Sequence, residues 1–426
     1  MRGFDPKHPD FFDRDDLDRE MDRINDICHG CRLCFNLCPS FPALFDAMDE
    51  NEYEHASELT AAERWRVVDL CYNCKLCFPK CPYIPPHEYE LDFPALMLRA
   101  KAVRAKHEGL TTQDRFLGNP GLVGKIGGIA PKLTNAVNTP GSLPRKMLEL
   151  TMGIAAERKL PPIAEETFSA WFARRGPSRP REDAPPQGTV ALFHTCSVEQ
   201  HWPGTGKALV EVLEHNGFEV VIPDQKCCGM PALDGGDIET ARAWGLTNLE
   251  ALHAAVEAGQ EIVVPGPSCS LMIRKDYPEL LGDDRAKVVA EHTHDAGEFL
   301  WKLHKEERLV EEFVWRPESV AYHQPCHLKV QNIGVPAQRL MKLLGAKVTI
   351  VDLCSGMDGT WGMKKEYYEL SSKQAKKLVG RIESAGAELT ASDCSMAALQ
   401  VEDAGAPRPL HPIEILHRAY GLAREE

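Results

Sequence analysis

Two short runs constrain this chain more than anything else in it: CHGCRLCFNLCP at residues 28–39 and CYNCKLCFPKCP at residues 71–82. Each spaces four cysteines as C-x2-C-x2-C-x3-C and sets a proline directly behind the last. Thiols that close together either pair as disulfides or hold metal. Disulfide frameworks belong to small secreted chains. This chain has 426 residues, and its acidic amino terminus, MRGFDPKHPDFFDRDDLDRE, lacks the apolar core of a secretory signal. No stretch reaches the roughly 20 uninterrupted apolar residues of a membrane-spanning helix. A cytoplasmic protein is expected, where clustered thiols serve as metal ligands.

The spacing is that of two-cluster ferredoxins. Three close thiolates occupy corners of one [4Fe–4S] cube and the fourth cysteine ligates the other cube. On that logic Cys28, Cys31, Cys34 and Cys81 hold one cluster, and Cys71, Cys74, Cys77 and Cys38 hold the second. Pro39 and Pro82 are expected to stop a helix and turn the chain after each crossing ligand. Zinc competes, because paired C-x2-C motifs also build tetrahedral sulfur sites. A zinc site needs only two such pairs, which leaves the third close cysteine and the trailing proline without a purpose. Two [4Fe–4S] clusters are therefore the expected cofactors.

The expected fold is multidomain, an all-α two-cluster domain followed by a duplicated α/β domain. In residues 1–110, Leu17, Met21, Ile24 and Cys28 recur at near-helical spacing behind a group of aspartates. Thr60 and Glu63 have capping-box spacing, with Trp65, Val68 and Tyr72 on one face. Asp92 and Pro94 read as a helix start and Gly109 as its stop. Residues 111–187 form a connector: a Gly/Pro-rich stretch, GNPGLVGKIGGIAP, one amphipathic helix within LPRKMLELTMGIAAERKLPP, and a linker, RRGPSRPREDAPPQG.

From residue 188 short apolar strands alternate with helices, which implies parallel pairing. TVALFHTC, FEVVIPDQKCCG and EIVVPGPSC end near Cys196, Cys227/Cys228 and Cys269. SVAYHQPC, AKVTIVDLCSG and AELTASDC end near Cys326, Cys354 and Cys394. Matching order and spacing mark an internal duplication, repeat one over 188–308 and repeat two over 309–426. Each cysteine falls just past the carboxyl end of a strand, where open α/β sheets place their ligand sites. Cys196, Cys227, Cys228 and Cys269 give repeat one four thiols, enough for a third cluster. Repeat two has three, because Ser355 stands where the second cysteine of the pair would be. Repeat two then either recruits His323 or His327 as a nitrogen ligand, contributes to a shared site, or serves structure alone.

The tandem cysteine runs, CCGMPALDG at 227–235, SGMDGTWG at 355–362 and HPIEILHRAYG at 411–421 together resemble one family. It is that of the iron–sulfur subunits of anaerobic glycerol-3-phosphate dehydrogenase and glycolate oxidase, and of the fused C and B subunits of heterodisulfide reductase. The resemblance implies a helical ferredoxin domain followed by two cysteine-rich (CCG) domains. In the B subunit of heterodisulfide reductase those domains bind non-cubane [4Fe–4S] clusters, each with an extra C-x2-C at the third strand end. This chain departs from that pattern, with Met272 and Ala397 at the second cysteine of each such pair.

An iron–sulfur electron-transfer subunit is expected, relaying electrons between a partner oxidoreductase and a second donor or acceptor. The resemblance implies a flavin dehydrogenase subunit or a rubrerythrin-type protein as partner, and the quinone pool as acceptor. The alternative is an enzyme that reduces a disulfide at a cluster in the CCG repeats. HWPGTGKALVEVL is not a phosphate loop, since Lys207 is followed by Ala208 rather than Ser or Thr. The net charge of −14 argues against nucleic acid. It is uneven: residues 99–181 carry fifteen Lys and Arg against six Asp and Glu. Arg145, Lys146, Arg158 and Lys159 in that basic stretch are expected to dock an acidic partner or the anionic face of the inner membrane.

Overall fold

The computed structural model describes residues 3–423. They form two compact units, Met1–Gly118 with Gly229–Arg242, and Asn119–Cys228 with Ala243–Glu426.

The first unit is helical. Its main helices are Arg14–Cys31, Ser40–Glu50, Ala61–Leu70 and Phe93–Glu108. Leu17, Met21 and Ile24 are buried, packed with Phe41, Phe45, Val68 and Met97 in one core. The helix starts follow the caps. Asp13 accepts from the Asp16 amide at 2.6 Å, and Asp92 from the Ala95 amide at 2.9 Å. Thr60 and Glu63 exchange both bonds of a capping box, at 3.3 and 2.8 Å. Ser40, buried beside the first cysteine run, donates to the Val67 carbonyl at 2.7 Å and so ties the two run-bearing segments together. Arg99 is fully buried and holds the amino-terminal segment through the Asp10 and Phe11 carbonyls and Asp16.

The second unit contains two small parallel sheets. Strands β1 (Gly188–Leu192), β2 (Phe218–Val221), β3 (Glu261–Val264) and β4 (Thr293–Asp295) run in the order β2-β1-β3-β4. Strands β5 (Ser319–His323), β6 (Lys347–Val351) and β7 (Leu389–Ser392) run in the order β6-β5-β7. The duplication reaches further than the thiols. Where repeat one pairs β4 onto β3, repeat two has a single parallel bridge from Ala391 to Leu410. The helix after β4, Ala296–Lys305, and the helix after that bridge, Pro412–Ala419, each open on a capping box, Asp295/Glu298 and His411/Glu414.

The two repeats pack by exchanging equivalent helices. Pro203–His215 of repeat one lies against Pro412–Ala419, and Ala296–Lys305 lies against Pro336–Leu343 of repeat two. Thr205 donates to Glu414 and His417 meets Glu211, both at 2.6 Å. One apolar core runs through both, from Val190 and Leu213 to Tyr322 and Ile413.

The connector's Gly/Pro-rich stretch is helical too, in Pro120–Gly127 and Pro131–Val137. A proline at the first helical position is pre-set for the turn, and Asn119 caps the first helix through the Leu122 amide at 3.1 Å. The linker before β1 is strapped down, since buried Glu214 binds Arg175, Ser178 and the Arg179 amide at 2.7–2.8 Å. The docking role expected of Arg145 and Arg158 is corrected, because both are only 1% exposed. Arg145 donates to the Ala155 carbonyl at 2.6 Å. Arg158 binds Asp403 at 2.6 Å, the Gly362 carbonyl, Ser371 and Gln400. Their charge is spent inside the fold.

Candidate metal centres

In the first unit, eight thiols line two small cavities. Cys28, Cys31, Cys34 and Cys81 line one. Cys38, Cys71, Cys74 and Cys77 line the other. Each cavity therefore takes three thiols from one run and the fourth from the other. Buried Phe41 lines both, and apolar side chains such as Phe45, Leu91 and Phe93 make up most of the remaining walls. Cys71, Cys74 and Cys77 are buried, whereas the four thiols of the first cavity are half-exposed.

Backbone conformation wraps the runs around these cavities. The first helix carries Cys28 and Cys31 on its last turn and ends at Arg32, a left-handed residue (φ 53°) whose amide donates to the Cys28 carbonyl at 2.8 Å. Asn73 and Lys75, between the thiols of the second run, are also left-handed, at φ 47° and 57°. Asn tolerates that region better than most residues, and its side chain is held by Asp234 at 2.7 Å. Sequence reasoning passed over Asn73, although an Asn between metal-ligand cysteines is itself a signal for a left-handed turn. Pro82 follows the one-turn helix Cys77–Lys80 as expected, but Pro39 does the opposite of stopping a helix and sits at the start of Ser40–Glu50. Its fixed φ suits a first turn.

The thiols are electrostatically dependent on one another. Burial pushes Cys28 up, and so do Cys34, Cys81 and Cys31 around it. Cys77 is pushed up by burial and then by Cys71 and Cys38. Cys34 is raised to about 11, by burial and by Cys81. Thiolates in such a setting require a compensating cation.

In repeat one, Cys196, Cys227, Cys228 and Cys269 form a continuous chain of sulfur contacts. Cys196 meets Cys227, and Cys228 meets both Cys227 and Cys269. Cys196 is pushed well up by the Cys227 contact and by burial. It opens a short helix, Cys196–Gln200, behind Thr195 at φ 58°, ψ 153°. That region is essentially reserved for glycine, so Thr195 is strained at the entrance to the site. Its hydroxyl caps the helix through the Val198 amide at 3.2 Å.

Repeat two places its sulfur atoms differently. Cys354 Sγ accepts from the Gly356 amide at 3.2 Å, and Cys394 Sγ caps the helix Ser395–Asp403 through the Ala397 amide at 3.4 Å. Burial, then Cys354 and Cys394, push Cys326 well up. Both ring nitrogens of His323 are engaged, Nδ1 with Ser392 at 2.9 Å and Nε2 with the Leu353 carbonyl at 3.1 Å. Burial pulls His323 down to about 4, so the ring is neutral. His327 Nδ1 pairs with Ser268 at 2.9 Å. Its helix, Cys326–Lys329, packs on Pro267–Leu271, which carries Cys269. Met272 and Ala397 are core residues.

Among the described residues no three Cys, His, Asp or Glu side chains gather tightly enough to hold a single metal ion. The cysteines of the first unit stand around a space instead, and four thiols about an apolar cavity fit a multi-iron cluster.

Comparison with known proteins places these features in a family. Residues 21–108 match the citrate utilization protein B Fer4-like domain, and residues 190–274 and 320–402 match the CCG cysteine-rich domain. The C subunit of anaerobic glycerol-3-phosphate dehydrogenase from Escherichia coli (strain K12) is 32% identical over 300 residues, 69% of this chain and 74% of that protein. The chain belongs to this family of iron–sulfur subunits. Lactate utilization protein A of Exiguobacterium sp. is 33% identical over 244 residues, 54% of this chain and 95% of that protein. The protein of the same name from Shouchella clausii is 31% identical over 217 residues, 48% and 87% of the two chains. Both cysteine runs fall within the Fer4-like match, and each matched CCG segment falls within one structural repeat. No helix among the described residues is long and apolar enough to cross a membrane.

Proposed function

We propose that the chain is an electron-transfer subunit holding two [4Fe–4S] clusters in its helical unit and a third iron–sulfur cluster in repeat one. One observation carries the reading: each cavity of the helical unit is lined by three thiols of one cysteine run and the fourth of the other. When bound, such a cluster changes by one electron with little change of shape, which suits a relay. The chain's own residues do the rest. Cys28, Cys31, Cys34 and Cys81 bind one group, and Cys38, Cys71, Cys74 and Cys77 the other. Phe41, on the wall of both cavities, keeps water from the path between them. The first cavity, with all four thiols half-exposed, is where a partner exchanges electrons, and the second, with three of its four thiols buried, is the more internal. Cys196, Cys227, Cys228 and Cys269 bind the third group. The partner is a flavin-dependent dehydrogenase subunit or a rubrerythrin-type protein, with a quinone as the other terminus, a reading that family membership supports.

The test is cluster-resolved spectroscopy of two variants. Cys38→Ser is expected to damage the cluster of the 71–77 triplet, and Cys81→Ser that of the 28–34 triplet. If each variant loses the cluster of its own triplet, the assignment is wrong.

A further inference from the structure

The two cysteine runs share their spacing, and in both the residue two places beyond the fourth cysteine carries a hydroxyl. Ser40 follows Cys38 and Pro39, and Tyr83 follows Cys81 and Pro82. The two hydroxyls go to different partners. That of Ser40 is spent on the Val67 carbonyl, at 2.7 Å. That of Tyr83 donates to Cys31 Sγ, and the Tyr83 amide donates to Cys81 Sγ at 3.4 Å. One residue thus addresses two of the four thiols around the first cavity, whose wall it also lines. Tyr72, the tyrosine on the wall of the second cavity, gives its hydroxyl to the Leu37 carbonyl at 3.2 Å.

The loop that carries Tyr83 is closed on itself. The Leu91 amide donates to the Tyr83 carbonyl, the His87 amide to the Ile84 carbonyl and the Glu90 amide to the His87 carbonyl, each at 2.9 Å. The Tyr83 ring packs edge-on against His87, with centroids 5.2 Å apart, and against Tyr89 at 5.5 Å. Arg23, on the helix that also bears Cys31, donates to the Tyr89 carbonyl at 2.8 Å. The loop is thereby fixed to the helix that holds the accepting sulfur. A phenol is protonated near neutral pH, and its hydrogen bond to a thiolate is a charge-assisted one. Such a bond draws charge from the sulfur and favours the more negative, reduced state of the group that the sulfur ligates. We infer that Tyr83 raises the reduction potential of the group held in the first cavity, by its hydroxyl on Cys31 and its amide on Cys81. The inference rests on the two-cluster reading of the helical unit, and it biases the relayed electron toward the first cavity.

The experiment is a potentiometric titration of full-length, anaerobically purified protein, followed by electron paramagnetic resonance. Cys81→Ser and Cys38→Ser assign the two signals of the helical unit. Tyr83→Phe removes the hydroxyl and keeps the ring. It is expected to make reduction of the first cluster about threefold to tenfold less favourable, roughly 30–60 mV for one electron. The second cluster should hold its potential. Both should hold theirs in Tyr89→Phe, which removes a neighbouring hydroxyl, and iron per chain should not change in either variant. Iron–thiolate stretching bands in the resonance Raman spectrum should shift in deuterated water, and less so in Tyr83→Phe. An unmoved or raised first potential in Tyr83→Phe, an equal shift of both clusters, or the same shift in Tyr89→Phe would overturn the inference. So would deuterium sensitivity that Tyr83→Phe retains in full, or iron lost from that variant, which would make the hydroxyl a structural support. With both clusters present, those outcomes reject the role of Tyr83 and leave the cluster reading standing. Absence of two [4Fe–4S] signals from the unaltered helical unit rejects the reading and the inference together.

Discussion

Repeats one and two share a parallel core, β2-β1-β3 beside β6-β5-β7, yet they have kept different things. Both keep the glycine behind the loop of the second strand. Gly229, at φ +95°, presses on Ala241, where a Cβ would come within 3.2 Å. Gly356, at φ +73°, presses on Ser371 and Gln374 at 2.9 Å. Only repeat one keeps the thiol in front of that glycine, Cys228 where repeat two has Ser355. The glycine serves close helix packing, which each copy of the fold needs. On the proposed reading the thiol serves chemistry, which one copy suffices to supply. In repeat two, Cys354 and Cys394 accept backbone amides and His323 is locked by two hydrogen bonds.

The comparison breaks most readily at Arg158, which the connector inserts into repeat two. Arg158→Ala removes one partner of a buried ion pair and is expected to destabilise the protein by about 3–5 kcal/mol. Denaturant unfolding reads that loss, and iron per folded chain should not change. A shift within experimental scatter would mean that repeat two does not lean on the connector. His323→Phe comes next. It leaves Ser392 and the Leu353 carbonyl without partners at an expected cost of about 1–3 kcal/mol, again with iron retained. Iron lost from this variant would make the ring a ligand and the repeats more alike than argued above.

In repeat one the strain at Thr195 is expected to be removable. Thr195→Gly loses a cap worth a few tenths of a kcal/mol but releases about 1–3 kcal/mol of strain. The midpoint of unfolding should therefore rise, and a fall would deny the strain. The smallest effect concerns pH. His294, at 2.7 Å, draws Glu261 on β3 down to about 2 against the opposing effect of burial, with Lys302 and His292 assisting. A depressed carboxylate stabilises above its unfolded value of about 4.3, and that stability is lost as pH falls toward the folded value. Acid titrations of the native chain and of Glu261→Gln should thus differ near about pH 5 and converge as the pH approaches about 2, by under about 1 kcal/mol for so accessible a pair. Curves that stay parallel throughout would show no linkage at Glu261.

What could be read from the sequence was local. The two cysteine runs, the caps at Thr60 and Asp92, and the duplicated strand-end thiols each depend on spacings of a few residues or on direct self-similarity. What escaped depends on who packs against whom. A count of charges treats Arg99, Arg145 and Arg158 as surface, yet all three are buried on backbone carbonyls and carboxylates. In the Gly/Pro-rich stretch proline starts helices and glycine lets them sit close to Gln200 and Ile163, contacts that composition does not reveal. Strand β4 has three residues, too few for any alternation to show. No spacing rule reveals Ser392 and the Leu353 carbonyl on the two ring nitrogens of His323.

The most direct test of unequal repeats is iron per chain in anaerobically purified protein, with Cys228→Ser and Cys354→Ser alongside. The account predicts about twelve irons, eight from the helical unit and four from repeat one, falling to about eight in Cys228→Ser and staying near twelve in Cys354→Ser. A count near sixteen, or about four irons lost from Cys354→Ser, would show that repeat two holds a cluster of its own and contradict the account.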